Sequence, residues 1–178
     1  SFGFIGLILV ELALVICISS AIPRMSSNMA IGLFLLYSVL NGMTLSVLLI
    51  VYTGASVAST FFITAGMFGA MSIYGYTTKQ DLSSWGNLLF MALFGIILAS
   101  FVNIFLQSSG LYWLISYIGV LVFVGLTAYD TQKIKKLAAQ VIVESEVGRK
   151  VAILGALTLY IDFIYMFIFM LRTWGNRR

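Results

Sequence analysis

Long apolar blocks interrupted by short polar breaks dominate this chain. A helix needs ~20 predominantly apolar residues to cross the hydrocarbon core of a bilayer. Six stretches reach that length: 2–22, 28–52, 56–76, 85–106, 111–132 and 150–172. None contains proline, and the single Pro23 falls in the first break. The breaks at 23–27, 53–54, 77–81 and 107–110 are short, and only 133–149 is longer. That last break opens with Lys-Ile-Lys-Lys-Leu-Ala-Ala, a sequence suited to carry the preceding helix past the lipid. No fixed-period repeat, low-complexity tract or linker divides the chain. The pattern predicts an all-α, polytopic transmembrane helix bundle with six helices in one domain over 1–178.

Composition strengthens this reading. Only 9% of the residues are charged and 61% are hydrophobic, whereas about a quarter of a soluble domain is charged. The solvent for most of this chain is therefore the lipid bilayer. The net charge of +4 does not point to nucleic acid, because the bases sit in short breaks and form no basic face. Arg24, Lys79, Lys133, Lys135, Lys136, Arg149 and Lys150 belong to alternate breaks, while the breaks near 54 and 108 hold no Lys or Arg. The positive-inside rule places the first set in the cytoplasm. The tail, with Arg172, Arg177 and Arg178, then emerges on the other side against that rule. Either its charges are outvoted, or the last segment is re-entrant. With six spans the N-terminus at Ser1 is also outside, and one further helix upstream would return it to the cytoplasm. Trp85, Trp113 and Trp174 fall near span ends, where amphipathic rings anchor at the interface. Gly54, Ala58, Gly66 and Ala70 lie on one helix face at a spacing of multiples of four and predict close helix packing, as do Gly119, Gly125 and Gly155.

Chemistry is confined to a few residues. There is no histidine, and the lone Cys17 has no companion for a disulfide or a metal cluster. Any pH sensing must then rest on carboxyl groups. A charge at the centre of a span costs about 2.5–3.5 kcal/mol on the insertion scale, so the acids kept inside apolar blocks stand out: Glu11, Asp130 and Asp162. Asp162 lies about eleven residues from either end of its segment, at a depth of ~16 Å. It must be neutral, paired or facing a polar cavity. Glu11 is midway along the first segment and has the same requirement. Asp130 precedes Lys133 near a span end, where an ordinary interfacial charge would also fit. Arg24 can serve as a positive-inside anchor or reach inward along its apolar stem to a carboxylate. Two carboxyl groups brought together in a low-dielectric medium cannot both ionise, and they share a proton. Depth alone places Asp130 at the edge and Asp162 near the middle, so spacing does not pair them.

Gly-Leu-Thr-Ala-Tyr-Asp-Thr-Gln-Lys-Ile at 125–134 and Leu-Gly-Ala-Leu-Thr-Leu-Tyr-Ile-Asp-Phe-Ile at 154–164 resemble the two aspartate motifs of the Bax inhibitor family. The stretch 60–81 resembles the bacterial inner-membrane members of that family. The resemblance covers essentially the whole chain. It implies a seven-helix fold of which the first helix is missing here, with the last helix central and ringed by the others. It also implies a calcium leak sensitive to pH. In the family, the aspartates matching Asp130 and Asp162 hydrogen-bond as a pair, and an arginine matching Arg24 latches onto the first of them. Glu11 matches a family glutamate less closely.

The expectation from these readings is a pH-sensitive calcium (cation) leak channel. Asp130, Asp162 and Arg24 would form its gate, Glu11 would belong to the ion pathway, and Asp130 and Asp162 would be candidate calcium ligands. Calcium is the transported ion, and no cofactor is expected. The alternative is a regulatory membrane protein acting through partners such as a membrane-bound protease or stress and cell-death machinery, without transport of its own. An intramembrane aspartyl protease fits less well, because the second aspartate stands in Leu-Tyr-Ile-Asp and not in Gly-x-Gly-Asp; no enzyme is expected. The expected setting is the bacterial inner membrane, with a monomer sufficient for function.

Overall fold

The computed structural model describes the backbone of residues 2–178 and the side-chain surroundings of residues 10–178; Ser1 lies outside the described residues. Six helices follow one another: α1 (Phe2–Ala21), α2 (Ser27–Val51), α3 (Gly54–Thr77), α4 (Ser83–Leu106), α5 (Ser109–Ala138) and α6 (Glu146–Trp174). Among the described residues, α2 to α6 are each long and apolar enough to cross a membrane. Helices are the natural outcome, since a backbone in lipid must satisfy its polar groups within its own segment. The helix starts are marked by side-chain caps. Ser26, Thr53, Ser108 and Ser145 each accept a hydrogen bond from a first-turn amide of α2, α3, α5 and α6. As expected, the lysine-bearing segment 133–138 continues α5. In addition, α6 begins four residues before the expected 150.

Helices α5 and α6 run antiparallel against each other at the centre. Helices α3 and α4 pack on α5, α2 and α3 pack on α6, and α1 packs on α2. The last helix is thus central, as expected, and α5 shares that position. Its packing with α6 is tightened where a glycine leaves room. A Cβ at Gly119 would lie 2.6 Å from the Phe169 ring, and one at Gly155 would press on Ile134. Phe123 stacks on both Tyr165 and Phe169, at centroid distances of 5.4 and 5.9 Å.

The small residues of α3 behave differently from expectation. Ala58, Gly66 and Ala70 are exposed, and nothing would meet a Cβ at Gly54 or Gly66. The buried face carries Ser56, Thr60, Thr64 and Gly75 instead. Thr64 returns its hydroxyl to the Thr60 carbonyl at 2.7 Å, so an inward polar residue adds no unsatisfied group. At Gly75 the α3 backbone approaches so closely that any Cβ would collide with the Ala128 carbonyl of α5.

The ends of the bundle are chemically distinct. One end gathers the α1–α2, α3–α4 and α5–α6 connections with their lysines. Helix α6 is continuous to Trp174, and its tail reaches the opposite end, where the Thr53 amide donates to Asn176 O at 3.0 Å and the Arg178 amide to Val51 O at 2.9 Å. The last segment therefore runs the full length of the bundle as one continuous helix. Of the three tryptophans, Trp85 opens α4, Trp113 opens α5 and Trp174 closes α6, all of them exposed.

Candidate functional site

The α5–α6 seam brings Asp130 and Asp162 together. Gly119 faces Phe169 and Ile134 faces Gly155. In that register, Asp130 lies about one helical turn, or ~5 Å along the axis, from the level of Asp162. Side chains on a helix lean towards its N-terminus. Because the helices are antiparallel, the two carboxyl groups lean towards each other and close the gap. The two carboxyl groups are thereby neighbours that can share a hydrogen bond once one of them carries a proton, with Asp130 5% and Asp162 3% exposed. Such a bond needs a proton, since two carboxylates have none to share. Lys133, one turn further along α5, is the cation whose field Asp130 feels. Oδ2 of Asp162 is buried with no hydrogen-bond partner.

Glu11 joins a separate cluster. It is 8% exposed and accepts from Asn41 Nδ2 at 3.1 Å and from the Thr44 hydroxyl. The Tyr160 hydroxyl donates to Asn41 Oδ1 at 3.1 Å. This chain of polar groups links α1, α2 and α6. Asn41 and Tyr160 were not singled out in the sequence. An amide and a phenol have apolar-tolerated roles in a span, and only their meeting at Glu11 marks them.

Arg24 stands exposed in the α1–α2 turn. Among the described residues the only ion pair joins Lys136 and Asp81 at 2.6 Å, so Arg24 is not brought to the aspartates. The turn that carries it is tied elsewhere. Glu146 accepts from the Ser27 amide at 2.6 Å and from its hydroxyl at 2.9 Å, and Lys150 donates to Pro23 O at 3.4 Å. Gln132, two residues after Asp130 in the same motif, proves to be a clamp. It donates to Gln80 O at 2.8 Å and accepts from the Leu82 amide at 2.9 Å. The carbonyl of Tyr76 accepts from Lys135 at 2.6 Å.

As a calcium site the aspartate pair is incomplete. Calcium takes six to eight oxygens, while the pair offers four at most. Among the described residues no group of three or more His, Cys, Asp or Glu side chains is placed to hold a metal ion.

Comparison with known proteins completes the description. The family described as "Inhibitor of apoptosis-promoting Bax1" matches residues 1–178. Inner membrane protein YbhL of Escherichia coli strain K12 is 61% identical over 98% of this chain and 75% of that protein. A protein of Borreliella burgdorferi is 49% identical over 100% of this chain and 77% of its own length. A membrane protein of Streptococcus pyogenes serotype M1 is 41% identical over 97% and 74%. A match along the whole chain, relatives this similar and a bundle of membrane-length helices together place the chain in the Bax inhibitor family, as an integral protein of the inner membrane.

Proposed function

We propose that this protein is a pH-sensitive cation leak, with calcium as its cargo, gated by the Asp130–Asp162 pair. The observation that carries this reading is the juxtaposition of two buried carboxyl groups, Asp130 and Asp162, across the α5–α6 seam. One proton shared by such a pair leaves one net negative charge between the two central helices. Acidification adds the second proton and discharges the pair, a local charge change of the kind that biases a two-state element. Arg24 lies on the turn at the lysine-rich end and is free of the pair here, which corresponds to the unlatched arrangement of the expected gate. Latching brings Arg24 to an ionised Asp130 and holds α1 and α2 against the central helices. The orphan Oδ2 of Asp162 offers an unused acceptor to a passing cation.

The test is calcium efflux from proteoliposomes holding the full-length protein, from about pH 8 to about pH 6, the range in which a coupled carboxyl pair can titrate. Efflux is expected to rise on acidification, and Asp162→Asn and Asp130→Asn are each expected to abolish that response. An unchanged profile in Asp162→Asn removes the pair as the gate. Folded, inserted protein with no efflux above empty vesicles favours action through a protein partner, such as a membrane-bound protease.

A further inference from the structure

We propose that the end of the bundle opposite the lysines holds a binding site for a phosphate-bearing anion, gripped by Arg172 and Arg177 around Tyr112. A cavity of about 560 Å³ opens there, lined by Asn103, Gln107, Ser108, Tyr112, Arg172 and Arg177. Both guanidinium groups are gathered on one ring. Arg172 lies 4.3 Å and Arg177 5.5 Å from the Tyr112 centroid, and Arg177 Nη2 donates to the Tyr112 hydroxyl at 2.6 Å. Two like charges drawn to one ring repel each other, and an anion bound beside both offsets that repulsion. None of the six Asp and Glu side chains of the chain lines the cavity, and the one ion pair among the described residues is at the other end.

The arrangement is built, not a loose surface. Helix α6 passes into a tail that forms an antiparallel bridge between Arg177 and Tyr52, and the Asn176 amide donates to the Ser56 hydroxyl at 3.0 Å. Gly175, also lining the cavity, sits where a Cβ would strike the Tyr52 ring. The tail is thereby held so that Arg177 reaches the same Tyr112 ring as Arg172. Positive charge at this end also runs against the positive-inside distribution of the rest of the chain, so its retention calls for a use. Arginine forks match phosphate oxygens in a bidentate fashion, and serine, asparagine and glutamine side chains supply neutral donors.

The cavity lies at the membrane interface, since Trp113 lines it and Trp174 packs edge-on against Tyr117 one turn away. This position favours the headgroup of an anionic phospholipid as the source of the phosphate. A soluble phosphate ester is the other source of the same chemistry. A zwitterionic phospholipid carries the same phosphate, but its ammonium cancels the net charge and weakens its hold on two arginines.

The experiment is native mass spectrometry of the full-length protein, delipidated in detergent and titrated separately with phosphatidylglycerol and phosphatidylcholine. Phosphatidylglycerol is expected to bind at least about tenfold more tightly, equivalent to one charge-assisted hydrogen bond. Arg172→Gln with Arg177→Gln is expected to erase that preference, while Arg149→Gln with Lys150→Gln at the other end leaves it intact. The milder Arg177→Gln alone, at an exposed position, guards against misfolding and is expected to reduce the preference in part. Displacement of the lipid by glycerol phosphate supports the site and assigns a soluble source, whereas lipid that resists displacement supports the site as a headgroup site. Equal binding of the two lipids overturns the proposal. So does a Gln/Gln variant that melts earlier yet keeps the preference, for then the arginines only anchor the tail.

Discussion

Gln132 shows how one side chain can hold a connection that hydropathy leaves unspecified. It is 6% exposed, and its amide satisfies both a carbonyl and an amide of the α3–α4 connection. Truncation leaves the Leu82 amide buried without a partner, at a cost of about 1–3 kcal/mol. Gln132→Ala is therefore expected to lower the thermal unfolding temperature in detergent. Equal stability of the wild type and the variant refutes the clamp. The same scale bears on the aspartates: each alone is a cost in lipid, and placing them side by side lets one proton serve both.

At the scale of helices, close approach is decided by which face of a glycine-bearing helix turns inward. Two glycines of α3 make opposite predictions. Gly66 faces outward with nothing near a Cβ, so Gly66→Ala is expected to be neutral or to stabilise by up to about 1 kcal/mol through helix propensity. Gly75 abuts the Ala128 carbonyl, so Gly75→Ala forces α3 and α5 apart and is expected to cost about 1–3 kcal/mol. Reversible unfolding in mixed micelles measures both. A matching loss at Gly66 contradicts the outward placement of that face. Because Ala128 is two residues from Asp130, Gly75→Ala is also the variant of the two expected to disturb the aspartate pair.

Across the whole molecule, charge is sorted between the two ends. The lysine-rich end is laced by Lys136–Asp81 and by bonds from Lys135 and Lys150 to carbonyls. The Lys136 ammonium, with help from Ser83, holds the Asp81 carboxyl down from 3.8 to about 2. A depressed carboxyl stabilises the folded state above its unfolded value and loses that contribution as pH falls through the folded one. The contribution of Asp81 is thus expected to be complete above about pH 4 and lost towards about pH 2. Both partners are exposed, so it is small and weakened by salt. Unfolding of the wild type and Asp81→Asn should converge at the acid end; a gap that persists there disproves the link. The opposite end holds arginines without carboxylates, and its chemistry is turned outward to the interface.

The sequence by itself determined the six helices, their approximate ends, the lysine-bearing side and the three acids worth attention. Each of these follows from the cost of an unsatisfied backbone or a bare charge in lipid, a cost that is local and readable along the chain. It did not determine which faces turn inward. In a bilayer the outside of a helix is as apolar as its packed side, so Gly66 and Gly75 look alike until α5 lies against one of them. Nor did depth pair Asp130 with Asp162. That pairing came from family resemblance, and its physical cause is the antiparallel register of α5 and α6, which tilts the two side chains towards each other. The exposed position of Arg24, the gathering of Arg172 and Arg177 on Tyr112, and the Glu11–Asn41–Tyr160 chain were likewise decided by tertiary structure. All join residues distant in sequence, and such contacts exist only once helices have chosen their neighbours.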